Sequence, residues 1–231
     1  RQEEKTKKII LVEDNRAIQE QLSKERKEQE ALIKTLRRKE KSLNTQISKK
    51  EKQTTAINKE IDRLIREAIL ASNKAAGKKG NITFELTPEA RLISANFQAN
   101  RGRLPWPLEK GVVTQRFGRQ THAVVKTTTI QSNGVTIATE PSSQVRTVFE
   151  GVVMSVVTFR GSNPSVLIRH GNYISVYKNL GKLYVKKGDK VQAKQTIGEV
   201  FTNKQTGKTQ LQFSIFSNVN ALDPKGWIYK M

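Results

Sequence analysis

The chain has 231 residues, with 42 Lys and Arg against 21 Asp and Glu, a formal net charge of +21, no Cys and two His. Without cysteine there is no disulfide, thiolate nucleophile, zinc finger or iron–sulfur centre, and a zinc enzyme would need both His122 and His170 plus a carboxylate in one place. At 35% hydrophobic and 6% aromatic the chain cannot fill one large core, and its basic excess points to an anionic partner such as nucleic acid, lipid head groups or cell-wall polymer.

No run of about 18 apolar residues exists, so no membrane-spanning helix is expected. The first residues, Arg1 to Lys8, are polar and lack the apolar segment of an export signal. The chain also starts without Met, inside a helical pattern, and is expected to be a fragment whose original N-terminus and signal peptide are missing. The absence of Cys is compatible with cytoplasm or with an exported protein that needs no staples.

Residues 1–76 contain no Pro and no Gly. From Leu22 an apolar seam runs with alternating spacings of three and four. One set, seven apart, is Leu22, Gln29, Leu36, Leu43, Lys50, Ile57, Leu64 and Ala71, and its companion is Ile33, Glu40, Ile47, Thr54, Ile61 and Ala68. This heptad pattern predicts a coiled coil over 1–76, with polar breaks at Gln29, Glu40 and Lys50 that can set register. So polar a helix needs a mate, expected to be the other arm of a truncated hairpin or a second copy.

Residues 77–103 read as a linker with a short helix. After the small-residue run Ala75–Asn81, Thr87 can cap the helix, Pro88 suits its first turn and Glu89 complements its dipole. Leu86, Ala90, Ile93 and Phe97 would form its apolar stripe, before Asn100-Arg101-Gly102 and Leu104-Pro105-Trp106-Pro107 end it. Residues 104–231 are rich in Val, Ile, Thr and Gly. Short apolar or alternating runs at 111–117, 124–130, 134–138, 144–149, 151–159, 165–169, 172–177, 190–192, 196–201 and 209–216 predict an all-β sandwich or small barrel without a crossover helix. Charge follows the same division: residues 1–76 carry a net +7 and residues 77–231 a net +14.

The β portion carries an ordered set of motifs. They are Val113–Arg119, Asn133-Gly134-Val135-Thr136-Ile137, Phe149-Glu150-Gly151-Val152-Val153, Val166–Gly171 ending in His-Gly, and Tyr177-Lys178-Asn179-Leu180. After them come Val185–Val191 with Gln195–Gly198, then Thr206-Gly207, Gln210–Ile215, and Asp223-Pro224 with Trp227-Ile228. In this order, over about residues 105–230, they resemble the LytM or lysostaphin-type peptidase domain, a zinc fold that cuts peptidoglycan cross-links. The resemblance implies an α + β multidomain chain: coiled-coil helix, short linker helix, and a mainly antiparallel LytM-like sandwich or barrel.

The resemblance also places the family's chemistry on this chain. The ligand positions of its zinc, two His and one Asp, fall on Ser132, Thr136 and Gln212, and its two assisting His fall on Asn179 and Gln210. All five side chains are neutral, poor zinc ligands that cannot shuttle protons near neutral pH, so no catalysis, no metal and no cofactor are expected. His170 fits a hydrogen-bonded turn, and His122 lies in a loop bordering the old active groove.

A coiled coil joined to a degenerate LytM domain resembles the EnvC-type murein hydrolase activators. That resemblance implies a periplasmic protein held at the inner membrane by a partner, an FtsE–FtsX-type division complex bound through the coiled coil. It further implies activation of an N-acetylmuramoyl-L-alanine amidase for septal wall splitting. The partner groove is expected to comprise Ser132, Thr136, Tyr177, Asn179, Gln210, Gln212, Phe216 and His122. The helix bearing Ala90, Ile93 and Phe97 is expected either to pack on the β domain or to plug the groove as an autoinhibitory element. The basic surface suits peptidoglycan or an anionic membrane, and scattered basic residues without an aromatic–basic motif argue against nucleic acid. The competing expectations are a membrane-fusion-type transport adaptor, whose lipoyl-like barrel shares the Val185–Gly198 motifs, and a peptidoglycan-binding scaffold. A residual zinc peptidase is argued against by the five replacements.

Overall fold

The computed structural model describes residues 2–77, 82–122, 125, 128–158 and 161–231. Its first element is one helix, α1 (Gln2–Ala75), as the absence of Pro and Gly allows. None of the described helices is long and apolar enough to cross a membrane. Along the N-terminal half, seam residues Leu22, Ile33, Leu36 and Leu43 are exposed. The C-terminal part behaves differently: Ile61, Ile65, Ile69 and Asn73, four residues apart, are buried. That row faces the β domain, so the end of α1 is docked on protein.

The chain then turns back along α1. Asn73 grips the returning backbone at two points, donating to the Thr83 carbonyl at 2.9 Å and accepting from the Glu85 amide at 2.8 Å. The Arg169 guanidinium lies 3.9 Å over the Phe84 ring, a cation–π contact that closes the corner. A second helix, α2 (Pro88–Ala99), follows; its N-cap Thr87 accepts from the Ala90 amide, and Pro88 opens its first turn.

The β strands are β1 (Val112–Gln115), β2 (Gly118–Thr121), β3 (Thr129–Ser132), β4 (Val135–Ala138), β5 (Gln144–Arg146), β6 (Gly151–Thr158) and β7 (Pro164–His170). They continue with β8 (Tyr173–Lys178), β9 (Leu180–Leu183), β10 (Lys190–Val191), β11 (Thr196–Val200), β12 (Gln210–Ser217) and β13 (Asn220–Leu222). All pairings between these strands are antiparallel. The main sheet has the order β1-β4-β12-β8-β7-β6-β10 with β13 beside β12; β5-β11-β9 form a second sheet and β2-β3 a third. The expected architecture, long helix, short helix and antiparallel β domain, is the one observed. The strand expected at 124–130 lies partly outside the described residues, and the described strand there begins at Thr129; β2, β9 and β13 had no separate apolar signal.

Because successive strand residues point to opposite faces, the main sheet has two different sides. Ile137, Val166, Ile168, Tyr177, Leu211, Phe213 and Ile215 belong to the inner core. Leu167, Ile174, Val176 and Phe216 lie on the outer side, in a cluster with Ile61, Ile65 and Ile69 of α1.

Helix α2 joins the inner core. Phe97 is fully buried, with its ring centroid 4.8 Å from Tyr173, 5.0 Å from His170 and 5.3 Å from Trp227. Gly171 makes this approach possible: its φ is +71°, and a Cβ there would lie 2.5 Å from Ser94 Cβ and 2.6 Å from the Ala90 carbonyl oxygen. His170 is buried beside it, with Nδ1 2.6 Å from the Glu150 carbonyl and Nε2 2.8 Å from Ser175 Oγ. A carbonyl only accepts, so Nδ1 carries the proton and Nε2 accepts from Ser175.

Two predictions follow from these contacts. Gly171→Ala meets both the left-handed backbone and a filled space, and is expected to cost at least about 2 kcal/mol by urea unfolding. Gly188→Ala, at φ +93° with nothing nearby, is expected to cost about half as much; equal losses would contradict the α2 packing. Burial lowers the His170 pKa to about 4, outweighing the Glu150 hydrogen bond that favours the charged form. The unfolded chain then takes up this proton first, so stability is lost as pH falls from about 6.5 to about 4. Nitrogen-15 NMR is expected to show the neutral Nδ1–H tautomer of His170 through about pH 5.5; a protonation midpoint near 6.5 would contradict its burial.

Candidate functional site

The outer side of the main sheet changes character along its strands. Beneath Ile61–Ile69 it is apolar. Further along the same face a cross-strand row of polar side chains runs Gln115, Thr136, Gln212, Lys178. Register fixes it: Gln115 opposes Thr136, Thr136 opposes Gln212, and Gln212 opposes Lys178. Directly opposed residues share a face with Cβ atoms about 5 Å apart, and Gln210 and Ser214 lie on it two residues to either side of Gln212.

This row floors a cavity of about 980 Å³. Ser132, Thr136, Gln210, Gln212, Phe216 and His122, six of the residues anticipated from the motifs, line it together. Tyr177 and Asn179 do not line it. Tyr177 faces the inner core opposite Phe213, fully buried, with its hydroxyl accepting from the Val148 amide at 2.9 Å. Strand alternation puts it there: the groove face of β8 belongs to its neighbour Lys178. Asn179 leaves the strand at φ +73°, donates to the Gln210 carbonyl at 2.6 Å and accepts from Asn163 Nδ2 at 2.6 Å, so its amide braces the floor from the side.

The roof of the cavity is α1. Ile47, Glu51, Thr54, Thr55, Asn58 and Asp62 line it. The helix also touches both banks. Asn44 accepts from Thr128 Oγ1 at 3.2 Å on one side, and Gln53 donates to the Gly161 carbonyl on the other. Of the two alternatives for α2, packing on the β domain is the one observed: Phe97 is in the inner core, Ala90 and Ile93 do not line the cavity, and α1 lies over the groove. The physical reason is the size of the Phe97 aromatic nest, which takes the apolar stripe of α2 to the other side of the sheet. Phe216, at the apolar end of the groove, is only 6% accessible because α1 covers it.

Sequence reasoning missed Lys178 and the roof. Lys178 stands within the motif Tyr177-Lys178-Asn179-Leu180, and burial pushes its pKa down to about 8. The signal for the roof was available in the density of apolar residues at Ile61, Leu64, Ile65, Ala68 and Ile69, which exceeds a two-in-seven seam.

The donor set does not suit a zinc ion. Ser132 Oγ donates to the Gly134 carbonyl at 2.8 Å, and Thr136 Oγ1 donates to Gln115 Oε1 at 3.2 Å. Gln212 offers an amide, and the neighbouring cation of Lys178 opposes a second positive charge. Neutral hydroxyls and amides bind zinc poorly compared with imidazole and carboxylate. Among the described residues no group of three or more His, Cys, Asp or Glu stands close enough to hold a metal.

Residues 130–224 match the model of peptidase family M23. The murein hydrolase activator EnvC of Escherichia coli K12 is 26% identical over 165 residues, which cover 70% of this chain and 38% of that protein; the matched part is thus well under half of the relative's length. Among solved structures, a zinc-containing peptidase from Vibrio cholerae is 25% identical, covering 54% of this chain and 40% of that one with a TM-score of 0.47. Csd3 of Helicobacter pylori is 25% identical, covering 55% and 35%, with a TM-score of 0.46. Residues 130–224 thus resemble a domain of peptidase family M23, the LytM type, in a chain that is similar over 165 residues to a murein hydrolase activator of the EnvC type.

Proposed function

We propose that this chain is a non-catalytic activator of a peptidoglycan amidase, docking it in the groove under α1. The observation that carries the proposal is the pocket itself. The residues that the resemblance sets at the family's zinc-ligand positions, Ser132, Thr136 and Gln212, line one concave cavity, and their side chains are a hydroxyl pair and an amide. A concave site with apolar and polar groups side by side suits an amphipathic helix from a partner. The resting occupant supports this, because α1 is such a helix, offering Ile47 beside Glu51, Thr54 and Asn58.

In this account α1 masks the groove, and the chain activates when α1 is drawn away. The exposed seam of its N-terminal half, Leu22, Ile33, Leu36 and Leu43, is the surface we assign to a coiled-coil mate and to an FtsE–FtsX-type division complex. Its place of action would be the periplasm, beside the inner membrane. The basic surface, net +14 over residues 77–231, would hold the domain near anionic wall polymer or lipid.

The test uses the full chain, a purified amidase and purified peptidoglycan. The chain alone is expected to release no wall fragments. Ile61→Ala with Ile65→Ala removes buried side chains worth about 2–5 kcal/mol each, and is expected to raise amidase stimulation at least tenfold over the native chain. Equal or lower stimulation, in a variant whose β domain remains folded, would contradict masking by α1. Zinc supplementation followed by metal analysis is expected to return far less than one ion per chain; stoichiometric zinc with wall cleavage would contradict the non-catalytic assignment.

A further inference from the structure

Docking in the groove leaves unexplained the cation on its floor. Lys178 stands on β8, with Ser165 on one flank and Gln212 on the other. Upstream on the same face of that strand are Ile174 and Val176, so an apolar residue would continue the pattern. Instead an ammonium, a pure donor with three N–H groups, is held where burial lowers its basicity. None of the ion pairs among the described residues includes it. The side-chain amides of Gln210 and Gln212 also make no hydrogen bond within the described structure. A half-buried charge without a counter-ion carries part of the cost of desolvation, and that cost is recovered when an anion arrives.

The groove itself indicates which anion. Its titratable residues from the β domain are Lys178 and His122, and His122 Nδ1 already accepts from the Val125 amide at 3.1 Å. The acids in the cavity come from α1, where Glu51 and Asp62 stand beside Lys50 and Lys59. Asp62 is engaged by Arg66 at 2.8 Å. When α1 leaves, both carboxylates leave with it, and the floor presents a cation and two amide donors to whatever enters. The current roof also defines the shape of an occupant: the Ile47–Asp62 stretch is a helix about 22 Å long at 1.5 Å per residue.

We propose that Lys178, with the amides of Gln210 and Gln212, is a carboxylate-binding site that receives an Asp or Glu side chain from the partner-protein helix entering the groove. The proposal rests on the groove being the docking site. A carboxylate bound there forms charge-assisted hydrogen bonds with Lys178. The site thereby selects among amphipathic helices, since one with an apolar or basic residue at this point leaves the ammonium unpaired.

The test has two readouts on the full chain. In the first, sodium acetate is titrated into the unmasked Ile61→Ala/Ile65→Ala chain at constant ionic strength against sodium chloride while the Lys178 side chain is followed by carbon-13 and nitrogen-15 NMR, assigned by its loss in Lys178→Met. A saturable shift of Lys178 with acetate is expected, and its absence at saturating acetate would overturn the site. In the second, amidase affinity is measured for the Ile61→Ala/Ile65→Ala chain with and without Lys178→Met or Lys178→Arg. Met is expected to weaken binding at least tenfold and Arg to retain most of it. Unchanged affinity with Met would overturn the carboxylate contact while leaving docking intact. An acetate shift without any amidase binding would overturn the docking reading and the protein source of the carboxylate. In that event, a Lys178 shift with a purified peptidoglycan stem tetrapeptide would identify the wall as the source.

Discussion

Three isoleucines on one helix, Ile61, Ile65 and Ile69, are pressed against Leu167, Ile174, Val176 and Phe216 on the outer side of the sheet. Each is about 1% accessible, and burying such a side chain contributes roughly 1.5–3 kcal/mol. The i, i+4 spacing aligns them in a single row, so the contact is a hinge line as well as an adhesive one. Everything upstream on α1 inherits its direction from this row. The helix passes over the polar part of the same face, meets Thr128 and Gly161 on the two banks, and runs on into solvent with its seam unpaired. An input that strains the distal helix therefore acts on a contact whose strength is similar to the whole stability of a small domain.

The division of the sheet into two faces lets the chemistry of the groove floor vary without disturbing the fold. The inner core depends on Tyr177, Phe213, Ile137 and their neighbours, with Phe97 of α2 sealed against His170, Tyr173 and Trp227. None of these belongs to the groove floor. Thr136, Lys178 and Gln212 alternate with core residues along the same strands, so the floor can change chemistry while the core stays as it is. A zinc ion contributes two positive charges to such a floor; here a single ammonium stands in the same row. In the proposed account, this floor recognises a negative group through that ammonium.

Much of this was legible beforehand, and the exceptions have a common cause. The helix over 2–75, the Thr87 cap and most main-sheet strands follow from local signals: absent Gly and Pro, a capping residue, and alternating hydrophobicity. The convergence of Ser132, Thr136, Gln210, Gln212, Phe216 and His122 followed from motif order. Tyr177 was misplaced because a motif names residues without naming the face they occupy, and one step along β8 exchanges core for groove. Lys178 was overlooked for the same reason, standing between two residues of that motif. The exchange of α1 for α2 as the groove's cover is a long-range packing outcome. Both helices carry apolar stripes, and only the three-dimensional fit of Phe97 among aromatic rings, with Gly171 permitting the approach, decides which helix goes to which side.

The central claim is that α1 lies across the groove in the resting chain and leaves it when a partner binds. The chain has no native Cys, so spin labels can be placed at two exposed positions, Lys52 on α1 and Arg119 on β2, without competing thiols. Pulsed electron–electron distance measurements on the full chain are expected to give one narrow distribution at rest. With saturating amidase, the account predicts that this population gives way to a longer and broader one. A narrow distribution that stays unchanged while the amidase is bound would contradict it, since the partner would then be engaging the chain with the groove still covered.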